Sequence, residues 1–337
     1  MGSHHEQVKL TSAELSYLWS TYMADSMSVC VLTYFLKNVE DRQIEKLMAH
    51  SIDLSKQHLE KIRQIFAKEE IQVPIGFIEK DVNTKAKRLF TDTFYIKYMK
   101  QMTNGGITTY GRVLQHIYRQ DIRDFFSKCL TSTVQLYNEI TEVLIDKGLD
   151  SRPPTIPYPQ KNEFVQKQSF LLEGLGRREA LTGEEVSQLQ FNIETNQIGT
   201  SLATAFSQVT GTKKVRDYML RGKEIALKHI SVFGDYLKNN SLPVPMSFDH
   251  EVTDSTKSPF SDKLMMFHFG LMMYAGIGNY GAAISASRKS DLVVDFTRLS
   301  GEILKYAEDG VNILIANEWL EQPPLAISRE ELAKAKD

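Results

Sequence analysis

The chain has 337 residues, and 40 lysines and arginines stand against 42 aspartates and glutamates for a formal charge of −2. That balance excludes a global electrostatic pull toward nucleic acid or anionic lipid. The length and a 42% share of hydrophobic residues predict a globular protein of one large or two smaller domains.

The first helix opens on the capping box Thr11/Glu14, and Leu15, Leu18, Tyr22 and Asp25 follow at steps of three or four. A second helix begins near Asp41, carries Leu47, Leu54, His58, Ile62 and Ile65 on one stripe, and is expected to end at Val73-Pro74. The connection from about 70 to 88 is long enough to cross a bundle or to run along one end of it. Thr91 caps a third helix, with Phe90 placed to staple against Tyr95; it should reach about Tyr118. A fourth runs from about Asp121 to Lys147 and is stopped by Gly148 and "RPPTIPYP".

The same order then returns. "LTGEEV" (Leu181 to Val186) stands over "LTSAEL" (Leu10 to Leu15), and the capping box recurs as Thr182/Glu185. His229 stands over His58, 171 positions on, and "LPVP" stands over "IQVP". One residue is then lost, and "PFSD" follows "LFTD", "GNYG" follows "TTYG" and "QPP" follows "RPP" at an offset of 170. A repeat this long is a duplicated domain rather than a solenoid unit. The expected fold is all-α, two tandem four-helix bundles of ferritin-like type. Residues 8–150 form the first, 151–178 a Pro-rich linker and connecting segment, 179–325 the second and 326–337 a solvated tail. The matched glycines Gly106/Gly276 and Gly111/Gly281 point to close helix approach or a kink, because glycine inside a helix costs about 1 kcal/mol relative to alanine.

No apolar run reaches the roughly 18 residues a membrane span needs; Lys263 and His268 interrupt the best candidate. No basic segment followed by an apolar core marks a secretory signal. Met1–His5 read equally as native sequence or as the remnant of a tag. Cys30 and Cys129 lie in apolar helical patterns and make no disulfide framework, so the expected setting is reducing and cytoplasmic.

His58 and His229 should both face a bundle core, where an unpartnered imidazole costs roughly 1 to 3 kcal/mol. Asp25 is the partner expected for His58, since the two sit at depths that differ by about 4 to 5 Å across the first helical hairpin. Asn196, the repeat mate of Asp25, is expected on His229. The plain reading is two structural pairs. The sharper one is a ligand site at Asp25, His58, Asn196 and His229, or a transition-metal site drawing on Asp25, His58, Glu139, His229, His268 and Asp309. Glu139 and Asp309 are matched on the fourth helices, as are Tyr98 and His268 on the third.

A standard di-iron centre is not expected. Asp53 and Glu224 stand five residues before their histidines, hence on other faces, and the fourth helices carry no Glu-x-x-His. No catalytic residues stand out. Phosphate-cradling loops, Cys-x-x-Cys, His-Glu-x-x-His and Gly-x-Ser-x-Gly are missing, and "GIGNYG" has no preceding strand. Asp92 and Asp262 fall in first helical turns, where a carboxylate favours the helix dipole.

The chain resembles the DUF3231 family of spore-forming Gram-positive bacteria, of unknown function. The likeness rests on "LTSAEL", Leu18-Trp19, Tyr22 and Asp25-Ser26 at the start and on "IPYP" after the first copy. It rests equally on "KEIA", "KHI", "LPVP", "FSDKLMMFH", "GIGNYGAA" and "WLEQPP" in the second. The resemblance implies tandem ferritin-like bundles and a loose kinship with spore-coat proteins of that fold, with no established activity. The function expected is a non-enzymatic binding or assembly protein, spore- or stress-associated, with a homo-oligomer or a protein as partner. A metal-binding bundle and a carrier of a small apolar ligand are the alternatives.

Overall fold

A computed structural model describes residues 8–150, 152–165, 180–246 and 249–334. Eight long helices dominate: α1 Ser12–Asn38, α2 Arg42–Lys68, α3 Asp92–Leu114, α4 Gln120–Asp146, α5 Gly183–Val209, α6 Lys213–Asn239, α7 Asp262–Ala286 and α8 Ser290–Ala316. A short α9, Arg329–Lys334, lies in the tail. Met1–His5 and residues 151 and 166–179 of the connecting segment lie outside the described residues. Among the described residues no helix is long and apolar enough to cross a membrane.

The helix starts follow from the sequence. In α1 the Thr11 hydroxyl accepts from Glu14 N at 3.2 Å and the Glu14 carboxylate accepts from Thr11 N at 2.8 Å. Thr182 and Glu185 repeat both bonds in α5. Phe90 stacks on Phe94 at 4.1 Å, closer than its expected partner Tyr95 at 6.5 Å. The stops are less legible. The second helix ends at Lys68, five residues before Val73, because Glu70 turns left-handed (φ 56°) and Ile71 N bonds back to Phe66 O. This closes the last turn without proline. Gly148, Ser241 and Glu318 end α4, α6 and α8 the same way. The third helix ends at Leu114, short of Tyr118, since the next residues turn into α4 and place Tyr118 N and Arg119 N on Glu14.

Asp92 and Asp262 act on the neighbouring turn. Asp92 accepts from Asp41 N at 2.7 Å and from Glu40 N, so the first residue of α3 anchors the α1–α2 turn. Asp262 likewise accepts from Thr210 and Thr212 between α5 and α6.

His50 faces Glu139 while His58 faces Phe125, so α2 and α4 run antiparallel. The second and third helices are then parallel, and the long connection between them crosses the bundle from end to end. One such crossover per unit is the connectivity of ferritin-like bundles. Arg221 opposite Asp309, with Tyr236 opposite Asp295, shows the same arrangement in the second unit.

The crossovers also join the two bundles about a pseudo-twofold axis. Asn83 N donates to Pro259 O at 2.7 Å, and its image, Thr253 N to Leu89 O, measures 2.9 Å. Thr91 N donates to Glu251 O and Ser261 N to Asp81 O. The side chains copy the exchange: Ser261 donates to buried Asp81 at 2.8 Å and Thr91 to buried Glu251. Each third helix is therefore held at its N-terminus by a carboxylate from the other copy. One apolar core runs through the junction, with Phe35, Phe90 and Tyr95 from the first copy against Phe206, Phe260 and Met265 from the second. Each bundle keeps its own smaller core at the outer end.

A further device binds α6 to α8. Tyr218 and Tyr306 stack at 4.2 Å, and each hydroxyl donates to the other's backbone carbonyl, at 3.3 and 2.8 Å. The hydroxyls lie over Gly310 and Gly222. A Cβ on Gly310 would stand 2.9 Å from Tyr218 Cζ, and one on Gly222 2.8 Å from Phe269 Cε1. Gly310→Ala should therefore destabilise by about 1–3 kcal/mol through overpacking, although alanine is the better helix former. A denaturation midpoint at or above that of the unmodified protein would contradict the account.

Candidate functional site: the core histidines

In the first bundle the expected pair is present. His58 Nδ1 lies 3.1 Å from Asp25 Oδ2, with the two side chains 12% and 11% exposed. Tyr110 and Phe125 meet the imidazole edge-on at 6.1 and 5.9 Å. Cys129 is buried nearby; burial pushes its thiol well above the usual range and the charge of Asp25 adds to the push. It is therefore an inert apolar side chain rather than a thiolate.

The second bundle corrects the expectation for Asn196. Its amide does not touch His229. It donates to Asn192 O at 2.7 Å, one turn back on its own helix, and to the Tyr280 hydroxyl at 2.9 Å. Tyr280 fills the gap and meets His229 Nδ1 at 2.8 Å, while His229 Nε2 lies 3.1 Å from Glu302. Lys228 closes the outer side of Glu302 at 2.8 Å.

His229 is fully buried, and burial lowers its pKa against the opposing pull of Glu302. The neutral ring thus donates from Nε2 to the carboxylate and accepts at Nδ1 from Tyr280, which in turn accepts from Asn196. The result is a directed chain from the bundle axis to Glu302 at the surface. Burial raises the Glu302 carboxyl, but the hydrogen bonds from Lys228 and His229 outweigh it and hold the group below its ordinary range. Tyr280 was within reach of sequence reasoning, since "GNYG" pairs with "TTYG". Glu302 was not, because its repeat mate is Ser132.

The remaining candidate metal donors do not converge. Glu139 pairs with His50 at 3.2 Å and Asp309 with Arg221 at 2.7 Å. These are matched pairs on the bundle flanks, both partly exposed. His268 is at the junction, where its Nε2 lies 2.9 Å from the hydroxyl of its own repeat mate Tyr98. Burial pushes His268 down to about 3, so the ring is neutral. Among the described residues no three His, Cys, Asp or Glu side chains gather around a point where an ion could sit.

A cavity of about 30 Å³ lies on the axis of the second bundle. Asn196, His229 and Tyr280 form its polar end; Gly199, Met272 and Gly276 are among its apolar walls.

No curated protein matches the chain. Two solved structures are similar. A candidate spore coat protein from Bacillus halodurans C-125 is 15% identical, with 46% of this chain and 100% of that one covered at a TM-score of 0.42. A conserved hypothetical protein from Mycobacterium tuberculosis is 16% identical, with 44% and 98% covered at a TM-score of 0.35. The model of the DUF3231 family, a protein family of unknown function, matches residues 1–161 and again 169–332, and the chain belongs to that family.

Proposed function

We propose that this protein is a non-catalytic binding or assembly protein, a double bundle whose core histidines serve its architecture. The observation that carries the reading is that each core imidazole is engaged by the protein's own side chains. His58 is held by Asp25, His229 by Tyr280 and Glu302, and His268 by Tyr98. At His229 both ring nitrogens are taken, so a metal ion there would have to break a hydrogen bond the fold already makes. At His58 and His268 one nitrogen is left over, but among the described residues no three donors gather to hold an ion. A surface for a partner or a second copy is supported by apolar residues kept exposed at matched places, Val134 with Leu304 and Ile145 with Ile315. The spore-associated setting follows the family resemblance.

Elemental analysis of untagged protein, purified without chelator, tests the reading. Less than one tenth of an equivalent of any transition metal is expected (~0.1, far below the near-stoichiometric loading of a true site). The His58→Ala/His229→Ala variant should show the same content and a stability lowered by about 1–3 kcal/mol for each broken partner set. One equivalent of metal in the unmodified protein, lost in the variant, would replace this proposal with a metal-binding one.

A further inference from the structure

We infer that the axial cavity of the second bundle is a binding site for a small, uncharged, largely apolar molecule that carries one hydrogen-bond donor, of the alcohol type. The inference goes beyond an assembly role and does not depend on it. Three observations carry it.

The first is that the space is not demanded by helix packing. Gly106 and Gly276 are the same position in the two copies. In the first bundle a Cβ on Gly106 would stand 3.0 Å from Thr133 Cγ2, so glycine is needed for α4 to approach. In the second bundle a Cβ on Gly276 would meet only Ile303 Cδ1, at 3.9 Å. Gly199 is the same case, with Met272 Cε at 3.9 Å. Both are helix-interior glycines where a methyl group fits, and alanine would favour the helix. The second bundle keeps open a volume it could fill.

The second is the chemistry of the walls. Asn196, His229 and Tyr280 converge at one end, and every N–H among them is already directed: Asn196 to Asn192 O and Tyr280, His229 to Glu302. The Tyr280 hydroxyl hydrogen is directed to His229 Nδ1. What remains is acceptor capacity, one lone pair on the Tyr280 oxygen and the Asn196 carbonyl oxygen. The site therefore favours a donor over an acceptor. Phe269, Met272 and Ile303 line the rest and disfavour a charged guest, whose desolvation nothing there would offset.

The third is size. A volume of about 30 Å³ admits an occupant of only roughly two or three heavy atoms, since one water-sized atom needs about 10–15 Å³. Met272 and Met273 provide flexible thioethers that can yield slightly around it.

The test uses the full chain with ¹³C-methyl-labelled methionine. It is titrated with ethanol and with acetonitrile, which has the same heavy-atom count and no hydroxyl donor. Ethanol should shift the Met272 and Met273 methyl signals saturably and bind about five-fold more tightly than acetonitrile, the effect of one net hydrogen bond. Gly199→Ala/Gly276→Ala should fold, unfold at a higher denaturant concentration, and lose the saturable shifts. Linear or absent shifts in the unmodified protein overturn the inference, as does undiminished binding by the filled variant. Equal affinity for the two probes overturns the donor preference. None of these outcomes bears on metal content, so this inference and the architectural reading of the histidines can fail separately.

Discussion

Replacing Glu185 with alanine is expected to destabilise the protein by about 3–5 kcal/mol, and Glu14→Ala should do the same in the first bundle. Both carboxylates are almost completely buried, and each closes two helix ends at once. One oxygen of Glu185 accepts from Thr182 N at 2.8 Å and completes the capping box of α5. The other accepts from Arg288 N and Lys289 N, at 2.9 and 3.0 Å, where the chain turns into α8. Glu14 holds Thr11 N, Tyr118 N and Arg119 N in the same way, at 2.8, 3.0 and 2.7 Å.

Truncation leaves three N–H donors without their acceptor, and hydrogen bonds to a charged group contribute about 1.5–3 kcal/mol each before solvent recovers part of the loss. Burial pushes the Glu14 carboxyl up, but the N–H groups of Arg119, Thr11 and Tyr118 outweigh it and hold it below its ordinary 4.5. The charged form is therefore the one the fold stabilises. Glutamine keeps the shape but turns an amide toward N–H donors, so Glu185→Gln should lose most of what Glu185→Ala loses. The check is the denaturant midpoint of each variant, and a drop equal to that of a surface Glu→Ala control would refute the double-capping account.

Half of this device was legible. Thr-x-x-Glu before an apolar stripe identifies the capping box, because its geometry is local. The bond from the second oxygen to the turn more than 100 residues away depends on how the bundle closes, and no local spacing encodes that. The same division runs through the fold. Helix starts, the 3.6-residue stripes and the duplication were readable because they repeat along the chain. The ends of α2, α6 and α8 were not, since Glu70, Ser241 and Glu318 adopt the left-handed turn that glycine usually signals.

For the site, helical depth placed His58 on Asp25 correctly. It failed at Asn196 because depth says nothing of a third helix supplying Tyr280. Glu139 and Asp309 misled for a related reason. They are matched across the repeat because the flank partner is matched, His50 in one copy and Arg221 in the other. The Tyr98–His268 contact was unreadable from either copy alone, because it exists only where the pseudo-twofold axis brings the copies together.

That junction gives the second large effect, a loss of stability on acidification. In the unfolded chain His268 takes up a proton near its ordinary 6.5, whereas in the folded chain burial holds it at about 3. Between those values the unfolded state binds more protons, so stability falls as the pH drops, by about 1.4 kcal/mol per pH unit. The expected loss from His268 alone is about 2 kcal/mol on going from pH 7 to pH 5, and its slope fades out within about one pH unit above its ordinary 6.5. His229, lowered by burial, acts with the same sign. The depressed carboxyls of Glu14 and Glu185 add their losses mainly below their unfolded 4.5, while Glu194, raised by burial, acts with the opposite sign. The His268 share is therefore read as a difference between the unmodified protein and a variant. His268→Gln retains a hydrogen-bonding group for Tyr98 but cannot titrate. Its stability is offset by a constant, and its dependence on pH between 7 and 5 should be shallower by about 0.7 of a proton on average. Denaturant unfolding across that range measures both slopes, and identical slopes would mean that the ring at the junction already reaches water.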